Sequence, residues 1–333
     1  MSDPERGVGM RRRDFIAAFG GAAALPLAAR AQQSMPVIGW LSSISEQTAT
    51  RHRDLFLREL GETGFAPGRN LAIQYSWSEG QYDRLPTMAA DLIGRPVDLI
   101  LAQGPPAALA AKAATTTIPI VFVVGIDPAA AGLVASYNRP GGNATGTTLI
   151  MGPLGQKRLE LVRDLVPKAV VVAMLHNAHS PDAAPEIREV QAVAQANKLQ
   201  LRLLSASAPA DIDAAFATMS AERPDALMVG GDPFLLVQRQ NIIAQVARAK
   251  LVAIYSSREY ADAGGLMSYG TNIPNSYRQA GIYVGRILKG AKPADLPVMQ
   301  PTTFELVINL KTAQEQGIDI PAALHARSDE VIE

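Results

Sequence analysis

Short apolar runs alternate with stretches of helical periodicity along residues 36–124. Residues 37–41 (VIGWL) form a run typical of a buried strand, and Leu55, Phe56 and Leu60 then share one face of a helix predicted over 51–61. Strands that alternate with helices predict a parallel sheet covered on both faces. The remaining elements of this part are strands at 71–75, 98–102 and 120–124 and helices at 83–92 and 106–114.

The same alternation restarts after residue 155. Residues 95–105 (RPVDLILAQGP) align without gaps with 223–233 (RPDALMVGGDP), an offset of 128 residues that also places Leu71 on Leu199. Two matches at one offset predict two similar doubly wound α/β lobes with parallel sheets, and a single large α/β domain is the alternative. The second set comprises helices at 156–165, 185–197, 212–221 and 234–249 and strands at 169–175, 199–204, 226–229 and 251–255.

Small and polar residues follow the predicted strands, at the edge where open parallel sheets bind ligands. The helices that start at Pro105-Pro106 and Pro233 should offer free amides to a carboxylate, and Asp127 and Asp232 should hold an ammonium group. This pattern predicts a zwitterion, an amino acid or similar solute with an apolar or aromatic side chain. The alternatives are ordinary turns and core aromatics. The candidate ligand-binding residues are Ser42, Ser43, Gln103, Gly104, Asp127, Asn177, Asp232, Tyr255 and Tyr269.

Composition narrows the class of protein further. The 333 residues contain 31 Lys+Arg against 31 Asp+Glu, so no basic excess indicates nucleic-acid binding. The absence of cysteine excludes disulfides, thiolate metal sites and cysteine nucleophiles. No nucleophile elbow, phosphate loop or zinc-helix motif is present, and Gly141–Gly146 lacks dinucleotide-site spacing and is interpreted as a turn. His176 and His179 are too few to fix a metal. We therefore expect no enzymatic activity, cofactor or metal.

The N-terminus has the pattern of an export signal. Arg12-Arg13 precedes an uncharged apolar stretch at 17–27, and Ala29-Arg30-Ala31 has the form of a signal-peptidase site. The paired arginines predict twin-arginine export. An ordinary secretory signal and a permanent membrane anchor are the alternatives, although the stretch is shorter than the roughly 20 residues of a membrane-spanning helix. The mature protein is expected to be soluble in a bacterial periplasm.

Three long stretches of the mature chain resemble the substrate-binding proteins of an ABC transporter family. They are 127–146 (DPAAAGLVASYNRPGGNATG), 255–270 and 286–313. The resemblance extends over the whole mature chain and implies a type I periplasmic-binding-protein fold, with the ligand in the cleft between its lobes and a hinge of several crossing segments. The family is often labelled as sugar-binding, and some members are linked to aromatic amino acids. Many members have Thr or Ser near Gly104, where this chain has QGPP at 103–106.

On the basis of this resemblance, residues 147–153 lead into the second lobe, 269–274 lead back, and 296–302 cross a third time before a strand at 305–309. A helix at 276–288 should cover the first lobe. The expected organisation is an export signal at 1–31, an N-terminal lobe of 36–148 plus 271–297, and a C-terminal lobe of 149–270 plus 298–333.

The resulting expectation is a monomeric periplasmic receptor that binds a small organic ligand and delivers it to an ABC permease in the inner membrane. Its mechanism would be binding and closure, without chemistry on the ligand. A ligand-sensing domain for a membrane signalling protein is one alternative, because it would have the same fold. An exported α/β enzyme is the other, and the missing catalytic motifs argue against it.

Overall fold

The structure is a computed structural model that describes residues 35–149 and 152–333. The predicted export signal at 1–31 lies outside the described residues. The twelve strands of the described part are β1 Val37–Ser42, β2 Ala72–Trp77, β3 Leu99–Gln103, β4 Ile120–Val124, β5 Ala144–Thr148, β6 Val171–His176, β7 Gln200–Ser205, β8 Ala226–Val229, β9 Val252–Tyr255, β10 Met267–Thr271, β11 Phe304–Asn309 and β12 Glu330–Ile332.

The helices of the described part cover both faces of the sheets. They are α1 Glu46–Glu62, α2 Leu85–Ile93, α3 Pro105–Ala114, α4 Gly152–Leu165, α5 Ala183–Ala196, α6 Pro209–Glu222, α7 Pro233–Val237, α8 Arg239–Ala249, α9 Arg258–Asp262, α10 Ile273–Leu288, α11 Leu310–Gln316 and α12 Ala322–His325, with short 3₁₀ helices at Tyr82–Arg84 and Pro293–Asp295. Among these residues no helix combines the length and apolar character needed to cross a membrane.

The strands form two sheets with matching topology. The first sheet has the order β2-β1-β3-β4-β5 and the second contains β7-β6-β8-β9-β10, the same order, extended by β11 and β12. All pairs are parallel except β10 with β11. The predicted repeat and the two-sheet α/β fold are therefore confirmed. Each sheet with the helices packed on it is called a lobe below.

The sequence pattern missed the last strand of each repeat. The prediction placed 141–146 in a turn and 147–153 and 269–274 in crossings, whereas β5 and β10 are strands that end their five-stranded sets. The reason is composition: β5 (ATGTT) and β10 (MSYGT) lack a continuous apolar run, although most of their residues are buried. Pairing with β4 and β9 overrides their weak local preference.

The predicted helix at 276–288 is confirmed as α10, which packs against α1 in the first lobe. Two glycines make this packing possible. A Cβ at Gly281 would lie 2.7 Å from the carbonyl oxygen of Phe56, and one at Gly285 would lie 2.1 Å from Oγ1 of Thr63. The helix therefore holds its backbone directly against α1, which brings its first turn to the edge of the first sheet.

Backbone hydrogen bonds join the crossing segments to one another. Thr148 donates to the carbonyl of Met299 at 2.9 Å, and Met299 donates to Gly146 at 3.0 Å. Asn272 donates to Thr303 at 3.1 Å. These bonds tie the segment after β5 and the segment after β10 to the approach to β11, so the connections between the lobes run side by side.

A candidate ligand-binding pocket between the two lobes

The carboxyl edges of the two sheets face one another across a pocket. The volume open to the centre of a water-sized sphere is about 90 Å³, several times the roughly 10–15 Å³ that one water needs by this measure. The pocket is therefore large enough for a small organic molecule. The first lobe contributes His52, Gln103, Gly104, Pro105, Val123 and Tyr277 to the lining. The second contributes Asp182, Gly231, Asp232, Pro233, Ser256 and Ser257.

Gln103 at the end of β3 is held in one orientation. Its Oε1 accepts hydrogen bonds from Nε1 of Trp40 at 3.0 Å and from Oγ of Ser42 at 3.1 Å. Both groups are donors, so Oε1 is assigned to that side and Nε2 faces Nδ1 of His52 at 3.4 Å. The His52 ring stacks on Tyr277 with centroids 4.4 Å apart. The first-lobe wall is therefore a rigid network rather than a set of mobile side chains.

His52 also bridges the lobes. Because Nδ1 accepts from Gln103, the proton lies on Nε2, which donates to Oε1 of Glu259 at 2.9 Å. Burial alone would raise the pKa of Glu259, but hydrogen bonds, chiefly the one from His52, lower it to about 2. Arg258 bonds to Asp262 and Glu330 at the surface, whereas Glu259 is directed to His52.

Asp232 makes the second bridge beside the pocket. Its side chain caps α7 by accepting from the Leu235 amide at 2.9 Å, and Oδ2 accepts from the Tyr82 hydroxyl of the first lobe at 2.6 Å. The Phe234 amide donates to the same hydroxyl at 3.0 Å, and Nδ2 of Asn177 lies 3.3 Å from both carboxylate oxygens. Burial raises the pKa of Asp232, and these donors offset part of that rise.

The helix starts do not supply the free amides that the sequence predicted. Pro105 and Pro106 occupy the first turn of α3 and carry no N–H. The Ala107 amide donates to Oγ of Ser43 at 3.1 Å, and the Ala108 amide donates to the Gly104 carbonyl. At α7 the amides of residues 234–236 are likewise bonded to Tyr82 and Asp232. The expected carboxylate site at these two helix starts is therefore occupied by the protein itself.

The pocket instead carries two buried carboxyl groups. Asp182, at the start of α5, accepts a short hydrogen bond from Oγ of Ser180, and Asp232 lies on the same wall. Burial raises the pKa of Asp182 to about 8, and the nearby Asp232 contributes to the rise. Behind this wall Glu186 accepts from the Gly231 amide and from the buried Arg158. No Lys or Arg belongs to the lining of this pocket among the described residues.

Six of the nine predicted ligand-binding residues lie at the pocket. Gln103, Gly104 and Asp232 line the pocket. Ser42, Ser43 and Asn177 lie directly behind it, where they hydrogen-bond to Gln103, to the first turn of α3 and to Asp232.

Three predicted residues lie away from the pocket. Asp127 is exposed and accepts from the amides of Ala129 and Ala130, so its carboxylate closes a local turn. Tyr255 is fully buried against Tyr260, and Tyr269 stacks on Phe304 between β10 and β11. The lining residues His52, Tyr277 and Asp182 and their neighbours Tyr82 and Glu259 were missed because they lie within helices or at helix starts, outside the strand-end pattern.

The position of Asp182 predicts a pH-dependent stability. Its folded pKa is about 8, whereas an unfolded Asp titrates near ~4. Between these values the folded state binds a proton that the unfolded state does not, so stability falls as pH rises through this range. Asp182→Asn cannot ionise and retains the acceptor for Ser180. We expect it to stabilise the ligand-free protein at pH 8.5 by at least about 1.4 kcal/mol, the value of one pKa unit, and not at pH 4.

Urea unfolding at both pH values measures this difference. Asp91→Asn is the matched control, because Asp91 is exposed on α2; its effect should be small at both pH values. An equal gain from Asp182→Asn at pH 4 and pH 8.5 would contradict the assignment of a buried, neutral carboxyl.

Two α/β lobes of matching topology, three crossing segments and a pocket at the facing sheet edges define the type I periplasmic-binding-protein fold. Residues 35–332 match the family model of the ABC transporter substrate-binding proteins, and the chain belongs to that family. The resemblance seen in the sequence is thereby confirmed.

Several known proteins are similar to this chain. A tyrosine-binding protein of Clostridioides difficile (strain R20291) is 27% identical over 297 residues, which cover 88% of this chain and 85% of that protein. The crystal structure of an ABC domain in complex with L-Trp from Streptococcus pneumonia has a TM-score of 0.82 and 27% identity, covering 90% of this chain and all of the other. A conserved domain protein from Vibrio cholerae has a TM-score of 0.83 and 25% identity, with the same coverage.

Proposed function

We propose that this protein is the periplasmic receptor of an ABC importer, and that it captures a small organic solute with an ammonium group between its lobes. The observation that carries the proposal is the pocket lined from both lobes. Membership of the substrate-binding family supports transport rather than catalysis. The similar tyrosine-binding protein and the L-Trp complex support a ligand with an aromatic or apolar part. The protein would act as a monomer that docks on the permease.

The predicted domain boundaries belong to this proposal. The first lobe would comprise 36–148 and 271–297, and the second 149–270 and 298–333. The hydrogen bonds among the crossing segments are consistent with a hinge made of parallel connections.

Contacts between the lobes explain how binding would produce closure. Away from the crossing segments, four hydrogen bonds join side chains of the two lobes in the described part of the chain. A ligand that touches both walls adds to these contacts only when the lobes are together, so it shifts the open–closed balance toward the closed form. The four contacts are Arg239 to Thr48 at 3.0 Å, Arg51 to Asp262 at 3.1 Å, His52 to Glu259 at 2.9 Å and Tyr82 to Asp232 at 2.6 Å.

Mass spectrometry of small molecules released from the purified mature protein tests this function. The identified solute is then added back to protein that has been unfolded and refolded to remove it. We expect a rise in unfolding free energy of about 2.7 kcal/mol at 100 times Kd and a smaller radius of gyration by small-angle scattering. Recovery of no solute, together with an unchanged radius in every solute screened, would contradict the proposal, and turnover of a bound compound would favour the enzyme alternative. A permease and an ATPase gene beside this one would favour transport over sensing.

The Tyr82–Asp232 bridge gives a specific prediction for closure. Tyr82→Phe removes the hydroxyl that bonds to Asp232 and to the Phe234 amide of the opposite lobe. Hydrogen bonds to charged groups contribute about 1.5–3 kcal/mol, so the co-purified solute should bind roughly 10- to 150-fold more weakly. Isothermal titration calorimetry measures the change, and scattering should show a larger fraction of open molecules.

Tyr137→Phe is the matched control for this variant. Tyr137 also hydrogen-bonds to an aspartate, Asp127, but both residues belong to the first lobe. Its loss should leave affinity and the radius of gyration unchanged. Equal affinities for Tyr82→Phe and wild type would show that this bridge does not contribute to closure.

A further inference from the structure

The carboxyl groups in the pocket lining all lie on one lobe. They are Asp182 and Asp232 of the second lobe, and the opposite wall is formed by Gln103 and by the His52–Tyr277 stack. The side-chain oxygen of Gln103 accepts two hydrogen bonds, one N–H of its amide group is directed to His52, and His52 is directed to Glu259. No Lys or Arg lines the pocket among the described residues, so a ligand carboxylate would meet only neutral donors such as the Ser256 and Ser257 hydroxyls.

The helix start that faces the carboxyl groups offers no substitute for a basic side chain. A helix start binds an anion through its free amides, but the first two residues of α3 are prolines and the next two amides are bonded within the first lobe. Pro233, which begins α7, lies against this loop: a Cβ at Gly104 would be 3.3 Å from its Cγ. The two prolyl rings at 105 and 233 therefore present hydrocarbon to the pocket where amides would have faced it.

We infer that the solute is an organic amine without a carboxylate, such as an arylalkylamine, rather than an amino acid. This inference rests on the proposed function and names the class of solute that the same pocket selects. The ammonium group lies against Asp182, whose carboxyl group lines the cavity and has one hydrogen bond, to Ser180. Asp232 lies on the same wall and adds negative charge, although its own oxygens already accept from Tyr82, Leu235 and Asn177. The hydrocarbon part lies against the apolar side of the lining, which includes Val123, Leu149, Leu236 and Ile273.

The burial of Asp182 agrees with this arrangement. A carboxyl group without a cationic partner in a dry site is held in its neutral form, as the raised pKa of Asp182 describes. An ammonium group beside it favours the ionised form. A carboxylate on the same solute would instead be buried without a cationic partner, and unpaired buried charge is strongly unfavourable.

Three compounds that share a 4-hydroxyphenyl ring test the inference. Tyramine carries only an ammonium group, L-tyrosine carries an ammonium group and a carboxylate, and 3-(4-hydroxyphenyl)propionate carries only a carboxylate. Calorimetry on refolded, solute-free protein should show tyramine binding at least 10-fold more tightly than L-tyrosine, and no binding of the propionate. Tighter binding of L-tyrosine than of tyramine would overturn the inference. If none of the three binds, the co-purified solute decides: an amine without a carboxylate supports the inference, and a solute with a carboxylate overturns it while the receptor function stands. Failure to recover or bind any solute counts against the receptor function itself.

Two variants test the residues separately from the solute. Pro105→Ala restores an N–H at the start of α3 that lines the pocket, so it should reduce the preference for tyramine over L-tyrosine by roughly 10-fold or more. Pro209→Ala, at the exposed start of α6, is the matched control and should leave the preference unchanged. Asp182→Asn should weaken tyramine binding by roughly 10- to 150-fold. An unchanged preference in Pro105→Ala together with full tyramine affinity in Asp182→Asn would contradict the assigned arrangement.

Discussion

Arg158→Met should destabilise the protein by about 3–5 kcal/mol, the usual cost of removing one partner from a buried ion pair. Arg158 on α4 is fully buried and hydrogen-bonds to Glu186, which is itself only 3% exposed. Glu186 also accepts from the amide of Gly231, which lines the pocket. Without the guanidinium this carboxylate would remain buried and unpaired, directly behind the pocket wall.

The double variant Arg158→Met with Glu186→Gln separates the charge from the packing. Gln keeps an acceptor for the Gly231 amide and carries no charge, so we expect it to recover most of the lost stability. Nε and Nη1 of Arg158 have no hydrogen-bond partners in the native structure, so the buried pair is not fully compensated. Replacing both partners therefore costs less than replacing one.

Urea unfolding curves for the three proteins measure these differences. Arg202→Met is the control, since Arg202 pairs with Glu222 at 3.5 Å with both side chains about half exposed, and surface pairs contribute only about 0–1 kcal/mol. Equal losses in Arg158→Met and Arg202→Met would contradict the importance of burial. No recovery in the double variant would show that the packing of the Arg158 side chain, not its charge, stabilises this region.

Gly146→Ala should destabilise the protein by about 3–5 kcal/mol, because it combines backbone strain with overpacking. Gly146 has φ +155°, and a Cβ built on it would lie 2.0 Å from the carbonyl oxygen of Phe122. The two residues are paired between β5 and β4. Gly146 also accepts from Met299 of another crossing segment, so the strand cannot move away without loosening the connections between the lobes.

Gly142→Ala is the control within the same glycine-rich stretch. A Cβ at Gly142 would meet only Nζ of Lys112, at 3.4 Å, the end of a flexible side chain. Its effect should be within about 0.5 kcal/mol, as for most surface substitutions. Urea unfolding and the radius of gyration of both variants would show whether Gly146 stabilises the lobes, their connections or both. A loss below about 1 kcal/mol in Gly146→Ala would contradict the close approach of β5 to β4.

Local patterns were sufficient for the alternation of strands and helices, because buried parallel strands are continuous apolar runs and their covering helices are amphipathic. The match of 95–105 with 223–233, together with Leu71 and Leu199 at the same offset, was enough to predict two similar lobes, and the two sheets do share one strand order. Gln103, Gly104 and Asp232 were also predictable, since strand ends in such sheets face the ligand. Strands β5 and β10 could not be predicted in this way, because they lack a continuous apolar run and become buried only through pairing with β4 and β9.

The composition of the pocket depends on which residues meet across the lobes, and short-range periodicity carries no information on that. His52 is 207 residues from Glu259, and Tyr82 is 150 residues from Asp232. Asp127 and Asp232 are both acidic residues that come shortly after a strand. Asp127, however, is exposed and accepts hydrogen bonds within its own turn, whereas Asp232 lies in the pocket wall. Pro105, Pro106 and Pro233 mark helix starts in the sequence, but only the folded structure shows that the remaining amides at those starts are already bonded to Ser43, Tyr82 and Asp232. The local sequence determines whether a residue lies in a strand, a helix or a turn. The charge state of its side chain and the availability of its hydrogen-bond donors depend instead on the neighbours that packing brings within a few ångströms.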